Sequence, residues 1–118
     1  MKDSSPISPH PALGLNDVVH QRSRLGILTL LRSGEPLEFC GLRDRLNLTD
    51  GNLNRHLKVL IEAGLATSER MGPGRLRTWI TITAKGGEAL DTELTALRAI
   101  IATVEQCPAQ LNSCTGHD

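Results

Sequence analysis

An amphipathic helical stretch, Thr49–Gly64, runs straight into a turn that no helix can cross, Gly72-Pro73-Gly74. Leu53, Leu57, Leu60 and Ile61 return to one side of a helix at about 100° per residue. Thr49 suits the N-cap, because its hydroxyl can accept from an orphan amide, and Asp50 at the first position complements the helix dipole. Gly64 ends the helix by accommodating a left-handed backbone. Leu65–Met71 and Leu76–Thr83 are then strand candidates on either side of the turn. In the second, Ile80 and Ile82 share one face while Trp79, Thr81 and Thr83 share the other.

The flanking elements follow from the same rules. Asn16-Asp17 can cap a first helical turn, and Arg22–Arg32 carries an apolar stripe of Leu25, Leu28 and Leu31. Ser33-Gly34 stops it. Glu35–Phe39 is short and broken by Pro36, so it reads as a small edge strand. Cys40–Leu46 is a short helix with Leu42 and Leu46 inward, and Asn47-Leu48 is a turn. Thr83 caps a last helix from Ala84 to about Gln106, ended by Pro108.

The predicted fold class is α+β, mostly helical: a winged helix-turn-helix with a β-hairpin wing and a C-terminal dimerisation helix. Its parts are an N-terminal disordered arm over 1–12 and a DNA-binding domain over 13–83. A dimerisation helix over 84–107 and a flexible tail over 108–118 follow.

Opposite the leucine stripe, the helix carries Gly51, Arg55, Lys58 and Glu62, with Asn52 and Asn54 on the flanks. Asparagine can pair with adenine, arginine with guanine, and lysine can hold phosphate. Asn52, Asn54, Arg55 and Lys58 are therefore the candidate reading residues. His56 lies beside the core stripe and reads as a packing or backbone-bonding histidine rather than a base reader. Arg70, Arg75 and Arg77 surround the hairpin tip, and Arg75 and Arg77 are the candidate wing contacts to a phosphate backbone or minor groove.

Zero formal net charge argues against nucleic acid, but the charge is unevenly placed. Residues 40–85 hold eight cations and four anions, an excess of four positive charges balanced by acidic flanks. Phe39 and Trp79 are the only aromatic residues, too few for the stacking platforms of single-strand binders. Double-stranded DNA is the expected partner. No apolar run reaches the roughly 20 residues of a membrane span, and no signal core precedes the domain, so a cytoplasmic protein is expected.

Leu90, Leu94, Leu97, Ile101 and Val104 advance in steps of four and three, the seam of a coiled coil. The expected partner for this stripe is a second copy, since symmetric half-site reading needs two helices about 34 Å apart. Packing on the chain's own first helix is the alternative.

From Leu13 to Leu90 the chain resembles winged-helix regulators of the MarR and ArsR type, most of all small MarR-like DNA-binding proteins. The resemblance rests on Asn16–His20 with Arg24–Leu28, on Phe39 with Leu42-Arg43, and on Leu48–Leu60. Leu76–Trp79 and Thr81–Gly86 complete it. It implies a homodimeric transcription factor, usually a repressor, on pseudo-palindromic operator DNA, with the two residue sets above on reading helix and wing. Paired cysteines of the metal-sensing members are lacking, and no N-terminal cysteine matches the redox-sensing ones. Effector type is not inherited, although a small-molecule effector of unknown identity is compatible with the family.

Two other functions compete. A protein–protein interaction module that has lost DNA binding fits the neutral total charge. A thiol or metal sensor would use Cys40, Cys107 or Cys114 with His10, His20 or His117, but no spacing resembles a ligand set. No cofactor and no metal are expected. No phosphate loop, nucleophile elbow or carboxylate pair suggests an enzyme.

Overall fold

A computed structural model describes residues 9–106. The first eight residues and the tail from Cys107 onward, with Pro108, Cys114 and His117, lie outside them. The order of elements is a 3-10 turn (Pro11–Gly14), α1 (Arg22–Leu30), β1 (Leu37–Glu38), α2 (Phe39–Arg45), α3 (Asp50–Glu62), β2 (Ala66–Met71), β3 (Arg77–Ile82) and α4 (Ala84–Glu105).

Local chemistry explains the boundaries. Asn16 caps the turn that precedes α1, accepting from the amides of Val18 and Val19 at 2.8 and 3.3 Å. Gln21 caps α1 itself, its side chain accepting from the Arg24 amide at 2.9 Å. Thr49 Oγ1 caps α3 by accepting from Asn52 N at 3.1 Å, and Thr83 Oγ1 caps α4 by accepting from Gly86 N at 2.9 Å. Asn47 turns the chain between α2 and α3 with φ 55°, a left-handed conformation that asparagine tolerates better than most residues. The end of the expected arm is ordered: Pro11 presets the first residue of the 3-10 turn, and His10 Nδ1 accepts from Ala12 N at 3.0 Å.

The sheet is antiparallel in the order β1-β3-β2. Ile80 sits at its centre, opposite Leu37 on one side and Ser68 on the other, and is fully buried. Against it lie Leu42 of α2 and the α3 stripe of Leu53, Leu57 and Leu60, with Ile27, Leu28 and Leu31 below. Full burial of each such side chain contributes about 1.5–3 kcal/mol, so α3 is held to the domain by its leucines while its other face remains free.

The start of α4 is bolted to the end of α3. Thr83 Oγ1 donates to Gly64 O at 2.7 Å, and Thr83 N donates to Leu65 O at 3.0 Å. Gly86 packs so closely that a Cβ there would stand 2.0 Å from Leu65 O. Only glycine fits that contact.

Candidate nucleic-acid interface

The residues proposed to read bases are spread along α3. Asn54, Arg55 and Lys58 are exposed, and Asn52 is half-buried. Asn52 is also engaged: its Oδ1 accepts from Arg55 Nη2, so these two side chains present a joined amide–guanidinium surface. Ile61, expected beside the core stripe, is 37 % exposed. The stripe is narrower than the helical projection suggests: Leu53, Leu57 and Leu60 are buried and Ile61 at its edge is not.

Ile61 instead helps floor a groove between α3 and the sheet, with Leu57 and Ile80. Asn54 and Lys58 edge it on the helix side, Ser68 and Thr78 on the strand side. Phe39 and Thr78 also line the adjoining cleft, whose other walls are Glu38, Cys40, Arg75, Leu76 and Arg77. The reading face and the wing root are therefore contiguous, joined through Phe39 and Thr78. Neither residue stands out by charge in the sequence, although Phe39 is one of only two aromatics.

The cations differ in freedom. Arg75 at the tip is exposed and enters no ion pair among the described residues, and the same is true of Lys58, Arg70 and Arg45. Gly72 and Gly74 carry the tip at φ 134° and 70°, conformations that side chains resist. Arg77 is exposed but paired, Nη1 lying 3.1 Å from Glu38 Oε2. Arg43 bonds Asp44 and Asp50, both at 2.9 Å. Its pKa is raised, first by the bond to Asp44 and then by that to Asp50. Arg43 thereby links α2 to the first residue of α3.

His56 is half-buried and lies 3.3 Å from Arg24 Nη1 through its Nδ1. Its pKa is lowered by burial, then by Arg24 and Arg55. It therefore packs as expected, against a side chain of α1 rather than the backbone.

The apolar seam of α4 divides. Leu90 is fully buried in the chain's own core and Leu94 packs against that core, so Leu90 presents no surface to a second copy. Leu97 is half-buried, while Ile101 and Val104 are each 55 % exposed. Glu93, within the same stripe, is fully buried. Its position three residues after Leu90 and four before Leu97 marks it as a polar residue on an apolar face, a signal present in the sequence.

Cys40 is a free, exposed thiol. Among the described residues no cluster of three or more His, Cys, Asp or Glu side chains could hold a metal ion, and no helix is long and apolar enough to cross a membrane.

The sequence model of a family described as a winged helix DNA-binding domain matches residues 23–101. An uncharacterized protein of Methanocaldococcus jannaschii is 41% identical over 83 residues, which is 70% of this chain and 90% of that protein. A transcriptional regulator homologue from Pyrococcus horikoshii superposes with a TM-score of 0.72 at 31% identity, over 75% of this chain and 89% of that one. The YusO protein of Bacillus subtilis shares the fold at 16% identity, with a TM-score of 0.66 over 92% and 81% of the two chains.

Proposed function

On the premise that this chain belongs to the winged helix DNA-binding family, we propose that it is a sequence-specific regulator of transcription. It works as a homodimeric repressor on a pseudo-palindromic operator. The observation that carries this reading is the continuity of the exposed α3 face with the wing through Phe39 and Thr78. Asn54 and Arg55 meet base edges in the major groove, with Asn52 orienting Arg55. Lys58, Arg75 and Arg77 hold phosphates and set the register.

The homodimer rests on Leu97, Ile101 and Val104, with Leu94 at the margin. A two-fold axis through this helix would present two α3 helices to successive major grooves. A small effector has a cleft of about 610 Å³ between the 3-10 turn and α4, lined by Leu13, Thr95 and Ala99 among others.

Mobility shifts of genomic fragments test the proposal. Retarded fragments that share a two-fold motif support it, and no retardation at about 50 mM salt, where phosphate contacts are strongest, sinks it. The second reading, a protein-interaction module, is favoured by the zero net charge and by the internal pairing of Arg43 and Arg77. It gains if the same assay shows no binding.

A further inference from the structure

Among the described residues, Glu93 is the one charged side chain buried in the core. Its two oxygens take donors from one turn of the N-terminal segment. Oε1 accepts from Asn16 N at 2.9 Å, and Oε2 accepts from His20 Nδ1 at 2.6 Å. Asn16 Oδ1 braces the same turn from inside through Val18 N and Val19 N. The turn is thus pinned to α4 at both ends.

The carbonyl at its centre faces the next helix. Val18 O accepts from Arg24 Nε at 2.7 Å, and Nη1 of the same guanidinium reaches His56 Nδ1 on α3 at 3.3 Å. Arginine offers only donors, so His56 Nδ1 must accept, which makes the ring neutral with its proton on Nε2. One planar group therefore bonds the turn and the reading helix together. A buried carboxylate is a costly way to hold a helix in place, and an apolar side chain would pack there more cheaply. What Glu93 adds is a fixed position for the turn.

We propose that Glu93 and Arg24 are positioning residues for the reading helix: a polar relay in which Arg24 passes to His56 on α3 the placement that Glu93 imposes on Asn16–His20 from α4. The inference rests on the reading of α3 as the DNA-facing helix. Its consequence is that a shift of α4, the helix through which two copies are proposed to join, alters the seat of α3. Glu93 bonds no residue of α3 among the described residues, so its hydrogen bonds reach α3 only through the turn and Arg24, a route separate from the contact of Thr83 and Gly86 with Gly64 and Leu65.

Three variants of the full-length protein test the relay. Glu93→Met keeps the side-chain length and helix preference but removes both acceptors. Glu93→Gln keeps an acceptor for Asn16 N. Arg24→Lys keeps the charge but cannot reach two acceptors with a planar fork. The first readout is the amide NMR shifts of Arg55–Lys58, and the second is affinity for a DNA fragment that the wild type binds.

The expected result is that Glu93→Met moves those amides and weakens DNA binding about tenfold, that Glu93→Gln largely restores both, and that Glu93→Met adds nothing in the Arg24→Lys background. Unmoved α3 amides, or losses that multiply in the double variant, overturn the relay. If Glu93→Met does not fold, Arg24→Lys alone tests the second link, and unmoved α3 amides in that variant overturn the relay. A wild type that binds no fragment overturns the DNA reading, and the NMR arm still decides the relay.

Discussion

Arg77 on β3 and Glu38 on β1 face each other across the sheet, with Nη1 at 3.3 and 3.1 Å from the two carboxylate oxygens. The arginine at the wing root is thus held by the domain, and a phosphate at the proposed site would compete with Glu38 for it. Both side chains keep contact with solvent, and an ion pair of this kind contributes only about 0–1 kcal/mol to stability. Glu38→Gln is therefore expected to leave folding nearly unchanged while freeing Arg77. Operator affinity rises, and the slope of log K against log salt steepens by up to about 0.9. Titrations at several salt concentrations check this; a weaker complex would mean that Glu38 orients Arg77 for DNA rather than competing with it.

Lys58 and Arg75 make a different prediction from Arg55. If Lys58 and Arg75 hold phosphates as proposed, Lys58→Ala and Arg75→Ala each weaken binding to every sequence and lower the salt slope by about 0.9 per residue. Arg55→Ala instead costs about 1–3 kcal/mol on the preferred site and relaxes the choice of base. Selection of bound sites from a random library separates the two behaviours.

Leu90 and Ile101 belong to the same heptad pattern but respond in opposite ways. Leu90→Ala empties part of the core and is expected to cost about 2–5 kcal/mol in stability. Ile101→Glu, at an exposed site, is expected to leave the monomer's fold intact and to separate the proposed dimer. Urea denaturation reads the first and sedimentation the second. A dimer that survives Ile101→Glu combined with Val104→Glu places the interface elsewhere.

How far the sequence reveals the molecule depends on range. Thr49, Gly64 and Thr83 were legible because caps and stops act within a few residues. The edge strand at Leu37–Glu38 was legible for the same reason, through Pro36 and its short length. Pairings across many positions were not: Glu93 lies 73 residues from His20, and Arg24 lies 32 from His56. Helical projection gives an angle but not what covers it, and so Ile61 fell on the core side and Leu90 on the interface. Likewise, the identity of Arg77 suggested a free cation, and only the register of β1 against β3 brings Glu38 beside it.

His56 makes stability depend on pH. Its folded pKa lies below the ordinary imidazole value because burial, then Arg24 and Arg55, oppose protonation. The unfolded chain takes up this proton at higher pH than the folded one. As pH falls through the ordinary imidazole range, the unfolded state binds more protons and stability drops, levelling off once the folded ring is protonated too. His56→Gln is expected to flatten that part of the profile. Urea midpoints between about pH 5 and 8, the range where histidine titrates, check the difference between variant and wild type.

The last turns of α4 pass beyond the domain that anchors its start. Residues 101–106 are exposed on every side, including Ile101 and Val104. A short helical segment in water, without tertiary contacts, is only marginally stable. Where two copies join through these turns, as proposed, their order and the capture of the second copy become a single equilibrium. Dilution would loosen the segment as it separates the subunits, making the abundance of the protein itself a variable in its occupancy of DNA.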